Sequence, residues 1–257
     1  LIDNTDDYVS LMRRRATGAL PDMGCALRVG DLLRDFADGP FSVLDVGCAA
    51  GHFLRTFKHQ ELPLAKYVGL EIDPAMFRVA SEVWEREAES GLAEFINADL
   101  EKFSSDRTYD FVICVNAFMY FASAKTALTN LLRAAKRRVL VRSYFADSNY
   151  RIIRAQTSLN HDKSSVDEID VFDESGNIRC YDYWNIYSRT YIESLVARLD
   201  PSAEVDWIED KNVLSSLKTE RELDIKKRGA TELLGEHEVS YPFILPWKWL
   251  SIRIDRR

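Results

Sequence analysis

The chain has 257 residues, with 41 Asp and Glu against 34 Lys and Arg, a formal charge of −7, and 46% hydrophobic residues. That length and apolar content fill a sizeable core, which excludes a disordered chain and allows one large α/β domain with an elaboration or two small domains. The acidic balance argues against a broad nucleic-acid footprint, which would show as a basic face.

Four scattered cysteines, Cys25, Cys48, Cys114 and Cys180, form no C-x-x-C pair. Neither a zinc site nor a disulfide framework is expected, no metal is assigned, and a reducing cytoplasm fits. No apolar run is long enough to span a bilayer, and the opening LIDNTDDYVS lacks the basic-then-apolar layout of a signal peptide, so no membrane association is expected. The first residue is Leu rather than Met, and the chain is therefore expected to begin inside the encoded protein.

Residues 1–38 read as a helical cap, with apolar positions Tyr8, Leu11 and Met12, a break over 18–24, and a second run around Leu32, Leu33 and Phe36. Gly39-Pro40 ends it, and a strand over 41–46 leads into VLDVGCAAGHF at 43–53. An apolar run, a turn of very small residues and a resumption at helical spacing read as strand, tight loop and helix. Gly47 and Gly51 open backbone conformations closed to larger residues, and Ala49 and Ala50 keep the loop thin enough for a ligand to lie on the main chain.

A second strand over 67–72 carries Glu71 near its end and runs through Asp73-Pro74 into a long helix over 75–89. The third strand, 93–98, ends at Asp99, and the fourth, YDFVICVN at 109–116, is a nearly continuous apolar run of the kind buried on both faces of a parallel sheet. A helix over 125–136 leads to a fifth strand over 138–144. The basic clusters Arg13-Arg14-Arg15 and Lys136-Arg137-Arg138 fall in helix-like segments, the second placed to complement a helix C-terminus, and are read as structural.

After Tyr144 the alternation breaks. A polar segment, a hairpin turn at 174–177 and an aromatic cluster of Tyr181, Tyr183, Trp184 and Tyr187 read as an insertion over the sheet. Ser188 caps a helix running to 198, a strand follows over 204–208, and residues 209–240, especially 215–227, are charged and helix-prone, as in a lid. The last strand is expected over 248–254. The resulting fold class is α/β: a doubly wound, mostly parallel, seven-stranded sheet with helices on both faces, and with insertions after the fifth strand and before the last. We read 1–257 as a single domain, with a cap at 1–38, a cofactor core at 39–145, and substrate-covering insertions at 145–187 and 209–246.

The strand-end groups match the parts of an adenosine-containing ligand. Gly47, Ala49 and Gly51 bring backbone to its amino-acid or phosphate portion, Glu71 can accept from both ribose hydroxyls, and Asp99 can accept from the adenine amino group. In these residues the chain resembles the class I S-adenosylmethionine-dependent methyltransferases. VLDVGCAAG is similar to their glycine-rich first motif, GLEIDPAMFRVA to the second-strand acid motif, INADLEKF to the third and YDFVICVNAFMYF to the fourth.

The resemblance covers about residues 40–145 and implies S-adenosyl-L-methionine as donor, with S-adenosyl-L-homocysteine as product. It implies that Asp45 helps position the methionine moiety, that Cys48 belongs to the binding loop, and that Phe53 shapes the pocket. It also implies that Ile72 and Leu100 sandwich adenine and that Asn116 lies near the methyl donor. Ala49 departs from the family's usual central glycine. The rival pattern, a nicotinamide-dependent oxidoreductase, wants a third glycine at 52, where this chain has His52, and has no required place for Asp99.

A sulfonium donor is already activated, so a base is needed only where the acceptor must lose a proton. Tyr120 and His161 are the catalytic candidates, against simpler roles as a core aromatic beside Phe118 and Phe121 and as a surface histidine. The fourth motif lacks an N-P-P-Y-type turn and no Pro-Cys follows it, which turns the expectation away from nucleic-acid bases. The expected activity is O-methylation of a small molecule such as a saccharide or sugar-linked metabolite. Protein or RNA methylation and a non-catalytic cofactor-binding or scaffolding role stay open as alternatives.

Overall fold

Two helices precede the sheet, α1 (Asp6–Ala16) and α2 (Gly24–Phe36), as the spacing of Tyr8, Leu11, Met12, Leu32 and Leu33 predicts. The computed structural model describes residues 6–103, 107–155, 173–178, 181–210, 231–234, 237–240, 243–244 and 246–254. The core then alternates as β1 (Phe41–Val46), α3 (His52–His59), β2 (Leu64–Glu71), α4 (Pro74–Val83), α5 (Glu85–Glu89), β3 (Ala93–Asn97) and β4 (Tyr109–Val115). A single 3-10 turn at Phe118–Tyr120, α6 (Ala124–Ala134) and β5 (Ala135–Ala146) complete the regular part. The remainder is β6 (Tyr150–Ala155), β7 (Tyr181–Ser188), α7 (Arg189–Leu199), β8 (Glu204–Ile208), the short strands β9 (Thr231–Leu234), β10 (His237–Ser240) and β11 (Phe243–Ile244), and β12 (Trp247–Arg253).

The main path of the sheet runs β3-β2-β1-β4-β5-β12-β8. The first five strands are mutually parallel, and β12 is antiparallel to both of its neighbours. These are the seven expected strands. The sheet reaches nine because β7 continues from the end of β5, pairing in parallel at Phe145–Tyr187 and Ala146–Ser188, and β6 pairs antiparallel with β7. Strand periodicity divides the core between the two faces. Leu44, Val46, Val112, Val139 and Leu250 pack under α6 and α7, whereas Val43, Phe111, Leu140 and Trp249 pack under α1, α2 and α3. A third cluster, built on Met119, Tyr144 and Ile186, lies where the β6–β7 hairpin meets the end of the sheet.

Local chemistry sets several boundaries. Asp73 caps α4 by accepting from the Ala75 and Met76 amides at 2.7 and 3.3 Å, with Pro74 in the first turn. Ser123 and Ser188 cap α6 and α7 in the same way, each accepting at 3.2 Å from the third residue on. A turn is present at the expected place, closed from the Gly176 amide to the Asp173 carbonyl at 2.9 Å with Gly176 at φ +81°; the strands expected to flank it lie largely outside the described residues.

Three expectations need correction. The long helix over 75–89 is two helices: Trp84 turns inward between them, its indole donating to the Ala50 carbonyl at 3.0 Å. Lys136-Arg137-Arg138 do not complement a helix end but open β5, where Arg137 pairs with Asp38 at 2.8 Å and the Arg138 guanidinium lies 3.9 Å over the Phe36 ring. Within 209–240, the described residues 231–234 and 237–240 form strands, not helix; 211–230 lie outside the described residues.

Candidate functional site

The loop between β1 and α3 places three residues in the left-handed region within five positions: Gly47 at φ +76°, Ala49 at +48° and Gly51 at +70°. The glycines are required by packing as well as by φ. A Cβ at Gly47 would lie 2.8 Å from the Ala117 Cβ, and one at Gly51 would lie 2.7 Å from the Trp84 indole nitrogen and 2.9 Å from the Phe95 ring. Ala49 carries its Cβ in a conformation that costs an L-residue about 1–2 kcal/mol. Its amide donates to Glu71 Oε2 at 2.8 Å, which holds the strained peptide in place.

Glu71 thereby joins two loops. Its Oε1 accepts from the Asp73 amide at 2.9 Å, while the side chain keeps about 8% of the residue's surface open. Burial pushes its carboxyl upward in pKa, and the Asp73 and Ala49 amides oppose that shift. A carboxylate offers about four lone-pair sites, so these two bonds leave capacity for further donors. Ile72, next along, is 52% exposed, an apolar side chain standing bare beside the carboxylate.

Asp45 is buried in β1 and accepts from the Tyr67 hydroxyl at 2.5 Å. Burial pushes its carboxyl up to about 7; the Tyr67 bond pulls it down and the nearby Glu71 adds to the rise. Cys48 is buried beneath the loop, its amide donating to the Leu70 carbonyl at 3.2 Å, and burial raises its thiol pKa. Phe53 is buried in the cluster under the cap helices, with His52 edge-on to it at 4.7 Å. His52 is pushed down to about 3, first by burial and then by Arg15, so its imidazole is neutral.

Asp99 is partly exposed, accepts from the Glu101 amide at 2.9 Å and lies 3.6 Å from Lys102 Nζ. Leu100 is buried in the main core, unlike Ile72. Tyr120 sits half-buried in the 3-10 turn against the cluster of Met119, Tyr144 and Ile186, while Phe118 and Phe121 pack into a different one. His161 lies outside the described residues. The structure thus brings Asp45, Gly47, Cys48, Ala49, Gly51 and Glu71 together at the ends of β1 and β2, with Asn116 at the end of β4.

One constellation escapes the motif reading. Asn116 stands at φ +62°, its amide donating to the Arg142 carbonyl at 3.0 Å and its Oδ1 accepting from Arg142 Nη1. The Arg142 guanidinium also donates through Nε and Nη2 to Asp210 Oδ2 at 2.9 and 2.6 Å, and Trp249 Nε1 donates to Asp210 Oδ1 at 2.9 Å. Both charged side chains are sealed, at 2% and 5% exposure. The signal was a lone arginine inside the apolar run VLVRSYF, since a cation in a strand buried on both faces demands a partner.

The comparisons agree with this geometry. Residues 43–138 match the family model described as a methyltransferase domain. No curated protein sequence matches the chain significantly. Among solved structures, the chain is similar to a putative methyltransferase from Haloferax volcanii in complex with the Trm112 methyltransferase activator, at 16% identity and TM-score 0.57, covering 99% of this chain and 98% of that one. It is similar to CalS10, an amino pentose methyltransferase from Micromonospora echinaspora with S-adenosylmethionine bound, at 14% identity and TM-score 0.53, covering 92% and 93%. It is also similar to the 4+2 cyclase SpnF, at 14% identity and TM-score 0.52, covering 88% and 80%. Motif order, strand order and the matched segment converge: residues 43–138 match a methyltransferase domain, and the Rossmann-like fold around them is shared with solved S-adenosylmethionine-dependent methyltransferases.

Proposed function

We propose that this methyltransferase transfers the methyl group to an oxygen of a small hydroxylated acceptor, such as a saccharide or sugar-linked metabolite. The observation that carries this reading is the β6–β7 hairpin over the turn after β4. Asn185 of β7 donates to the Met119 and Phe121 carbonyls, each at 2.9 Å, and Arg151 of β6 donates to the Ala122 carbonyl at 2.9 Å. The hairpin thereby backs a wall of Tyr120, Tyr144, Trp184 and Trp247 beside the end of β4, a surface suited to a small amphipathic molecule. The net charge of −7 and the amino pentose acceptor named for CalS10 support the same class.

S-adenosylmethionine supplies a methyl group already activated on sulfonium. The residues present fit it: Glu71 retains acceptor capacity for ribose hydroxyls, bare Ile72 suits a base face, and the thin loop over 47–51 leaves backbone for the amino-acid portion. Asp45, Cys48, Phe53, Asp99, Leu100 and Asn116 complete the proposed donor site. Tyr120 is the proposed acceptor-side base, through which an acceptor hydroxyl proton would leave. Tyr120→Phe is expected to lower turnover by about tenfold or more while S-adenosylhomocysteine affinity stays within about twofold; unchanged turnover removes Tyr120 from the mechanism.

The decisive experiment incubates the protein and a methyl-labelled donor with a metabolite extract and identifies labelled products by mass spectrometry. A labelled small molecule supports the reading. Label in protein or RNA alone overturns it in favour of a macromolecular acceptor. Binding of S-adenosylhomocysteine in calorimetry with no transfer to any fraction would point to a relative that holds the donor without methylating.

A further inference from the structure

We propose that Arg142 is a positioning residue of the methyl-transfer site, acting through Asn116 and fixed in its turn by Asp210. The inference rests on the proposed donor site, in which Asn116 faces the donor. Arg142 itself is sealed at 2% exposure and cannot touch a ligand, while Asn116 is only half-buried. Whatever Arg142 does at the site passes through the residues it holds.

It holds Asn116 twice. The Arg142 carbonyl accepts from the Asn116 amide at 3.0 Å, and Arg142 Nη1 donates to Asn116 Oδ1, so one residue fixes both backbone and carboxamide of a side chain at φ +62°. With Oδ1 committed to Arg142, Nδ2 turns toward Cys25 Sγ on α2, 3.6 Å away. The carboxamide therefore has one orientation, set by its neighbours before any ligand arrives.

The guanidinium is fixed with equal care. Nε and Nη2 converge on Asp210 Oδ2, Trp249 Nε1 secures Asp210 Oδ1, and the Trp247 ring lies 3.9 Å from the guanidinium carbon. Trp247 in turn meets Tyr144 at 4.3 Å, so the plane that orients Asn116 also backs the aromatic wall on the acceptor side. Burying two ions is expensive, and well-packed apolar residues of similar volume often serve stability as well or better. An ion pair kept at such a place is better accounted for by the geometry it imposes, and a planar fork imposes a geometry that a lysine ammonium cannot.

The test is a double-mutant cycle read by calorimetry with S-adenosylhomocysteine, using Arg142→Lys, Asn116→Ala and the double variant, each checked for folding by urea denaturation. Arg142→Lys is expected to weaken binding about tenfold, Asn116→Ala by a similar factor, and the double variant no more than the weaker single. Additive losses, or wild-type affinity in Arg142→Lys, would overturn the inference. If Arg142→Lys does not fold, Asp210→Asn runs the same cycle, with an expected loss of about threefold that vanishes in the Asn116→Ala background; a loss that persists there overturns the inference equally. No binding by the wild-type protein, by contrast, brings down the donor-site reading itself, whereas binding with an additive cycle leaves that reading standing.

Discussion

The loop after β1 and the turn after β4 each hold a non-glycine residue in the left-handed region with a charged side chain, and they do so in opposite ways. Ala49, at φ +48°, is held by Glu71, which is buried but for about 8% of its surface, keeps spare lone pairs open and lies within the same run of family motifs. Asn116, at φ +62°, is held by Arg142, whose counter-ion Asp210 comes from far along the chain and whose charge never meets solvent. An open clamp can share its lone pairs with a ligand. A sealed clamp can only transmit geometry, and its removal strikes stability before it strikes binding.

The largest expected effect breaks the sealed clamp. Arg142→Met leaves Asp210 as an uncompensated buried charge and should cost about 3–5 kcal/mol, measured as a fall in the urea midpoint at constant slope. Next comes the open side. Gly51→Ala combines a left-handed alanine with a Cβ driven against Trp84 and Phe95, for an expected loss of about 2–4 kcal/mol. A loss below 1 kcal/mol there would mean that the loop relaxes and is less rigid than its packing indicates.

A third measurement uses pH. The Asp45 carboxyl sits at about 7 in the folded chain against an ordinary 3.8, so between those values the folded state holds a proton that the unfolded state has released. Its contribution to stability therefore falls as pH rises from about 4 to about 7 and is level above. Relative to wild type, Asp45→Asn should become progressively more stable across that window, by on the order of 1 kcal/mol per pH unit. A difference that does not change with pH would place the Asp45 carboxyl near its ordinary value. The smallest effect concerns the clamped alanine: Ala49→Gly relieves the left-handed strain but adds freedom to the unfolded chain, for a net gain of no more than about 1 kcal/mol in thermal or urea unfolding.

The same contrast explains what could be read from the sequence. The donor side is written locally: strand, small residues and helix adjoin at 43–53, and Glu71 and Asp99 each close a strand, so periodicity and turn chemistry place them without tertiary information. The fold class followed, since strands alternating with helices allow few topologies. The helix break at Trp84 was not legible, because its cause is a hydrogen bond to Ala50 across the fold. Arg142 carried a signal that the motif reading passed over, and its partner carried none: Asp210 is one of many exposed-looking carboxylates in the sequence, and the pairing of β12 with both β5 and β8 brings it beneath the guanidinium. The short strands at 231–240 were hidden by composition, as charged residues read as helix when the partner strand is unknown.

The position of β12 has a consequence for how the chain comes together. Among the described residues β8 joins the sheet only through β12, Trp249 pairing with Ile208 on one side and with Arg142 on the other, although β8 precedes it in sequence. Each pairing in the parallel half spans fewer residues than that of β12 with β5, so insertion of β12 between two earlier strands is the most non-local step of the sheet and is expected to come late. Until that step is complete, Arg142 has no Trp249 to hold its counter-ion in place. Maturation of the turn at Asn116 is therefore coupled to closure of the sheet, and a chain cut before Trp247 would keep its donor loop but not a settled turn at Asn116.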